Sequence, residues 1–274
     1  MRVAIIADIH GNALALDAVL ADLERGGYDR LVCLGDAIQG GPQPAEVVAR
    51  LRALGCPTVL GNADAYLLTS AETDAEPADD ARRRRLAETR SWSLAHLSDA
   101  DRVFIDAFPM EITLALSDDL RLRCAHGTPR SFDEILLPTS PDEAFVAPLA
   151  PDGRTLYAGG YTHVQFVRHF PDRTFFVNPG SVGLAWRHGR PEGILYADPW
   201  AEYAVLDISD GRVELSFRRV PFDVAAYRAI IAASGAPHAA ALLAKYDARA
   251  RGPEGVMYVG SPVYSMLTAF CRVI

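Results

Sequence analysis

The chain has 274 residues, 50% of them hydrophobic and 23% charged, which excludes disorder, collagen and coiled coil and suffices for one large α/β core or two modest domains. Asp and Glu number 35 against 27 Lys and Arg, a net charge of −8, so bulk electrostatics does not draw nucleic acid to the surface. No run approaches the ~20 apolar residues of a membrane span. Asp8 and His10 also interrupt the opening MRVAIIADIHG where a signal peptide would need an apolar stretch.

VAIIA (3–7) is a β-branched run suited to a buried strand, and 12–25 carries Leu14, Leu16, Val19, Leu20 and Leu23 at helical spacing up to Gly26-Gly27. LVCL (31–34) reads as a second strand, Pro44 opens a helix to about Leu54, and TVL (58–60) reads as a third strand. Strand, helix, strand, helix, strand in succession implies a parallel sheet with right-handed crossovers. Residues 65–107 are charged and helical, with a capping box at Ser98 and Asp101. Strand pairs follow at 111–116 and 120–125, at 164–170 and 174–177, and at 203–208 and 213–220, with turns at 117–119, 171–173 and 210–212. Residues 222–249 read as two helices broken near Gly235-Ala236-Pro237, and the apolar tail 256–274 is expected to pack back on the body. One domain is expected, with a core at 1–221 and a C-terminal helical appendage at 222–274. Cys33, Cys56, Cys124 and Cys271 form no CxxC pair and read as buried free thiols in a reducing cytoplasm.

Ligands collect where the strands of an open parallel sheet end. Asp8, His10 and Asn12 follow the first expected strand, Asp36 the second, and Asn62 and Asp64 the third. His126 follows 120–125, and Tyr161 and His163 follow a further strand at 155–158, each group beside glycine. Carboxylate with imidazole suits a divalent first-row metal, and the absence of thiolates argues against a structural zinc knot. A carboxylate such as Asp36 can bridge two ions, which at roughly 3.5–4 Å apart would activate a hydroxide and clamp a phosphoryl group. Singly, a strand-end Asp is an ordinary helix cap and a lone His an ordinary structural residue. Together on one edge they form a pattern.

DIHGN (8–12), GDAIQGGP (35–42), GNAD (61–64), HGTP (126–129) and GYTH (160–163) resemble, in order, the five motif blocks of the calcineurin-like metallophosphoesterase superfamily. NPGSVG (178–183) further resembles its small bacterial and archaeal phosphoesterase branch. The resemblance implies an αββα sandwich of two mixed β-sheets flanked by helices, with a metal site at their edge. It makes Asp8, His10 and His163 ligands of one ion, Asp36 a bridge, and Asn62 and His126 ligands of a second. Asp36, Asn62 and His126 are then catalytic, and Asn12 and Arg130 are expected to touch substrate. The implied cofactors are two divalent ions per chain, among Mn, Fe, Ni and Zn. The implied reaction is phosphoester hydrolysis by a metal-activated hydroxide on a small phosphoester or nucleotide, with self-association left open.

Two positions depart from the family pattern. Ala63 stands where the family has the His that helps protonate the leaving group, which favours activated diesters over alkyl esters and leaves Asp64 as the first alternative donor. Tyr161 stands where the family has a His ligand of the second ion. A phenol with an ordinary pKa near 10 is a poor ligand for a soft divalent ion, so Tyr161 is read either as a weakened or absent second-site ligand or as a ligand for ferric iron. These two departures sustain the alternative of a metal- or nucleotide-binding relative with little turnover. Arg82 to Arg85 read as a solvated helix face, against a phosphate-binding lid. Trp186, just after NPGSVG, is expected near the pocket; His169 and His188 read as surface residues, and Met257-Tyr258 as packing or a dimer contact.

Overall fold

The computed structural model describes residues 1–71, 79–186, 196–246 and 268–269. In chain order its elements are β1 (Arg2–Ile6), α1 (Ala13–Gly26), β2 (Arg30–Cys33), α2 (Pro44–Leu54), α3 (Asn62–Thr69), α4 (Asp80–Ala95), α5 (Asp99–Asp106), β3 (Glu111–Ala115) and β4 (Arg121–Ala125). There follow α6 (Asp142–Leu149), β5 (Thr155–Ala158), β6 (Phe166–His169), β7 (Phe175–Asn178), β8 (Trp200–Ser209), β9 (Arg212–Pro221), α7 (Val224–Ala233), α8 (Ala239–Lys245) and β10 (Thr268–Ala269).

The strands form two mixed sheets, in the orders β10-β9-β8-β1-β2 and β3-β4-β5-β7-β6. β1 runs parallel to β2 and antiparallel to β8; β5 runs parallel to both β4 and β7. β1 is apolar without alternation because both of its faces are covered. Val3, Ile5 and Ala7 meet Leu122, Cys124, Leu156, Phe175 and Val177 of the other sheet, so the two sheets pack face to face. Ala4 and Ile6 point the other way, onto Leu16 and Val19 of α1 and Val47, Val48 and Leu51 of α2. The outer face of the second sheet, with Tyr157, Phe166 and Phe176, is covered by Phe145 and Leu149 of α6. Helix, sheet, sheet, helix is the layering expected from the motif blocks.

The expected strand 58–60 is reduced to one parallel bridge, Cys33 to Thr58. The ladder stops because Leu60 turns its N–H to Pro109 O at 2.8 Å, away from β2. The third motif block therefore follows this bridge, and its Asn62 begins α3. The strand expected at 164–170 shortens to β6, and the break between the last two helices falls at Gly235, where φ is 67°. Of the expected tail, Thr268–Ala269 pairs with Ser216 and Leu215 of β9. The rest of 256–274, with Met257, Tyr258 and Cys271, lies outside the described residues, as do 247–249 and His188.

Candidate metal centre

β1, β2, β4 and β5 all point their C-terminal ends at one edge of the sandwich, and the polar residues following them meet there. Several of these residues leave their strands in a left-handed backbone, which costs non-glycine residues of order 1–3 kcal/mol and concentrates at functional sites. Asp8 (φ 55°), His10 (46°), Asp36 (50°), Tyr161 (68°) and His163 (57°) all adopt it. Gly61 is required for a different reason: a Cβ there would collide with Asp36 Oδ1.

The ligand atoms form two groups, Asp8-His10-His163 and Asp8-Asp36-His126, each with its atoms within 4.8 Å of one another. Asp8 thus belongs to both. Its Oδ1 lies 3.3 Å from His163 Nε2 and 3.9 Å from the Nε2 atoms of His10 and His126. Asp36 Oδ2 stands 3.4 Å from His126 Nε2 and 3.7 Å from His10 Nε2, spanning the two groups. Asn62 Oδ1 approaches His126 Nε2 at 3.0 Å.

Each of the three imidazoles is oriented by a backbone carbonyl on its far side. His10 Nδ1 donates to Gln39 O at 2.8 Å, His126 Nδ1 to Leu34 O at 2.7 Å and His163 Nδ1 to Leu184 O at 2.8 Å. A carbonyl only accepts, so Nδ1 holds the proton and Nε2 is presented inward, as in histidines that bind a metal through one ring nitrogen and a carbonyl through the other. His10 and His163 consequently aim Nε2 at each other, 3.1 Å apart. Asp8 is fully buried and neither of its carboxylate oxygens receives a hydrogen bond. Buried carboxylates are paired, hydrogen-bonded or metal-bound. An orphaned carboxylate facing three imidazole lone pairs fits divalent cations.

Without an ion, protons answer the same charge. Burial works against His126 protonation, but the Asp36 charge and hydrogen bond overcome it and push the imidazole up to about 10. His163 is also raised, against burial, by Asp8. Burial lowers His10. Asp36 itself is held well below the usual carboxylate range, burial notwithstanding, by His126 and His10 and by the Ala63 N–H at 2.8 Å.

NPGSVG (178–183) was legible as a motif without a role, and the structure supplies one. Ser181 Oγ donates to Asp8 O at 2.7 Å, Gly183 N to Asp8 O at 3.0 Å, and Asn178 Nδ2 to Gly160 O at 2.6 Å. This loop ties the Asp8 turn of one sheet to the 160–163 turn of the other. Asn12, expected at substrate, is fully buried: Oδ1 caps α1 by accepting from Ala15 N at 3.0 Å, and Nδ2 donates to Gly183 O at 3.2 Å. Asp64, the alternative proton donor, is likewise enclosed. It accepts from Ala37 N and Ile38 N and holds the Asp36 turn in place. Burial and the Asp36 charge push it up to about 7, against those N–H groups.

Tyr161 lies at the cluster with its ring edge-on to His126, centroids 5.7 Å apart. Arg130 pairs with Glu134, four residues on in the turn after His126, and its side chain is 54% exposed. In the Arg82–Arg85 run, Arg83 pairs with Asp80 at 3.2 Å on the surface of α4. Trp186 stacks on His163, centroids 5.3 Å apart and planes 10° apart, as its place after NPGSVG suggested. Sequence reasoning missed what lies behind it. Lys245, at the end of α8, sets its Nζ 5.1 Å from the centre of the Trp186 ring, and Tyr246 donates to Gly183 O at 2.7 Å. Neither has a local sequence signal, because the contacts join segments about 60 residues apart.

An edge of two packed sheets carrying two sets of carboxylate and imidazole ligands defines a metal-binding α/β protein. The calcineurin-like phosphoesterase superfamily domain matches residues 1–210, and the chain belongs to that superfamily, whose members depend on divalent metals. It is 28% identical over 246 residues to an uncharacterized protein of Methanocaldococcus jannaschii, covering 84% of this chain and 91% of that one. Among solved structures it is similar to a metallophosphoesterase from Sphaerobacter thermophilus, with TM-score 0.65, 26% identity and coverage of 89% of this chain and 99% of the other. A hypothetical protein from Pyrococcus horikoshii shares the fold with TM-score 0.71 at 21% identity, covering 88% and 97%. Among the described residues no helix is long and apolar enough to cross a membrane.

Proposed function

We propose that the protein hydrolyses small phosphodiesters or nucleotide phosphoesters with good leaving groups at a pair of divalent ions. Asp8, His10 and His163 would hold one ion and Asn62 and His126 the other, with Asp36 bridging the two, Asp8 within reach of both groups and Tyr161 a weak further ligand. The buried Asp8 carboxylate, without a hydrogen bond and faced by three inward Nε2 atoms, carries this reading. Bound there, the ions would supply Lewis-acid polarisation of the phosphoryl group and an ionised water as nucleophile. The donor set suits Mn, Fe, Ni or Zn.

The chain's own contribution is orientation and charge. Three carbonyls fix the imidazoles, the α3 N-terminus and Ala63 N–H fix Asp36, and the 178–183 loop fixes the Asp8 turn, so the ligands are preorganised. Position 63 offers no proton and Asp64 is enclosed by backbone N–H groups, so the leaving group departs without general-acid help. The alternative, a binding protein without turnover, draws on Ala63 and Tyr161 alone, whereas the first ligand set is complete. We place this activity in a single cytoplasmic domain, with the core at 1–221 and the helical appendage at 222–274.

The test is a series of aryl phosphodiesters of rising leaving-group pKa with added Mn²⁺. General-acid help is worth ~10²–10⁴-fold, so wild type should show a steep decline that Ala63→His flattens. A shallow dependence in wild type would show that another residue supplies the proton.

A further inference from the structure

The wall behind His163 contains a cation that the metal ligands do not use. Lys245, half-buried, closes α8 with its Nζ over the Trp186 ring, whose indole in turn stacks flat on His163. Lys245 O accepts from Ala197 N at 3.0 Å, and Trp186 bridges Ala197, so backbone bonds hold lysine and indole together. Among the described residues Lys245 makes no ion pair with a carboxylate. Burial lowers its ammonium pKa, and no anion among the described residues opposes the shift. A half-buried ammonium without a counter-ion is costly unless something anionic arrives to meet it. Cation–π contact with Trp186 offsets part of that cost and leaves the donors of the ammonium available.

We propose that Lys245 is a substrate-binding residue whose ammonium receives a second phosphoryl group, so that the preferred substrate is a phosphoester carrying a further phosphate beyond the scissile one. This inference rests on the hydrolytic reading of the metal centre. The His163–Trp186–Lys245 stack sets that ammonium two ring contacts away from a proposed ligand of the first ion. A nucleoside with phosphates at both its 3′ and 5′ positions has its two anionic groups on opposite sides of one sugar and suits such a placement. A charge-assisted hydrogen bond from Lys to phosphate also gives specificity that an apolar wall does not. The residue lies in the appendage, beyond the 1–210 match to the superfamily domain.

The experiment compares thymidine 3′,5′-bisphosphate with thymidine 5′-monophosphate by titration calorimetry, on the full chain loaded with Mn²⁺ and on chelator-treated chain. In parallel, kcat/KM is measured for the p-nitrophenyl ester of thymidine 5′-phosphate with and without a 3′-phosphate. Wild type should prefer the bisphosphate tenfold or more in binding and show the same preference in kcat/KM. Lys245→Met should erase both preferences, chiefly through KM, and Lys245→Arg should retain them. A purely structural lysine would change the melting temperature and leave the preference ratio where it was. Equal affinity for the two nucleotides in wild type, or an undiminished preference in Lys245→Met, overturns the proposal. Loss of turnover with both esters, while the binding preference survives in wild type and disappears in Lys245→Met, refutes hydrolysis and upholds the anion site.

Discussion

Asp8→Asn keeps the shape of the side chain and removes an anion common to both ligand groups. A ligand that binds only the folded state at 100 times its Kd stabilises by about 2.7 kcal/mol, and for a chain of this size that raises Tm by about 5–10 °C. Even outer-shell partners of a metal site cost about 10–100-fold in affinity when lost, so deleting a ligand should weaken binding by at least about 100-fold. At the same free metal the stabilisation then falls to about 0.4 kcal/mol, or about 1 °C. The assay is thermal unfolding of wild type, Asp8→Asn and His163→Ala, each in Mn²⁺ and in chelator. His163 belongs to only one group, so His163→Ala should keep part of the rise while Asp8→Asn keeps almost none. A full metal-dependent rise in Asp8→Asn would refute the assignment of Asp8 to both groups.

The chelated protein should lose stability as pH rises. The His126 imidazole, raised to about 10 against burial by Asp36, stabilises the fold fully below the ordinary His value, and that contribution disappears as pH climbs through about 10. Tm measured between pH 7 and 10 should therefore fall in chelator and fall less in His126→Asn; identical slopes would contradict the His126–Asp36 pairing. Burial raises Glu202 to about 7, despite Arg219 at 3.0 Å and Trp200, so ionising it costs stability as pH rises through 7. Glu202→Gln should gain up to a few kcal/mol over wild type at pH 8 and nothing at pH 4, read by urea unfolding at both values. Tyr161→His should tighten the second ion and raise activity at limiting metal with little change at saturation. Tyr161→Phe, measured beside it, should match wild type in metal content if the phenol oxygen is not a ligand.

The metal-facing edge was legible because its chemistry is local. Asp8, His10, Asp36, His126 and His163 each follow an apolar strand within a few residues, and strand ends at one edge of a parallel pair must be neighbours. The burial of β1 was legible in its unbroken apolar run, while the two-sheet sandwich came from the family resemblance of the motif blocks. What stayed hidden depends on contacts between distant segments. The expectation of a third strand at 58–60 failed because Leu60 bonds Pro109, 49 residues further along the chain. Asn12 sits in a ligand motif, yet its side chain caps α1 and holds Gly183. Lys245 has an unremarkable place at the end of a short alanine-rich helix, and only the fold brings it to Trp186 and His163.

The most direct measurement is the number of metal ions per chain after purification without chelator, taken together with turnover of bis-p-nitrophenyl phosphate by the same sample. A two-ion hydrolytic centre predicts metal equivalents approaching two when Mn²⁺ is supplied, with turnover that chelation abolishes and Mn²⁺ restores. Metal-free protein that stays metal-free in excess Mn²⁺, or turnover that survives chelation undiminished, would contradict it.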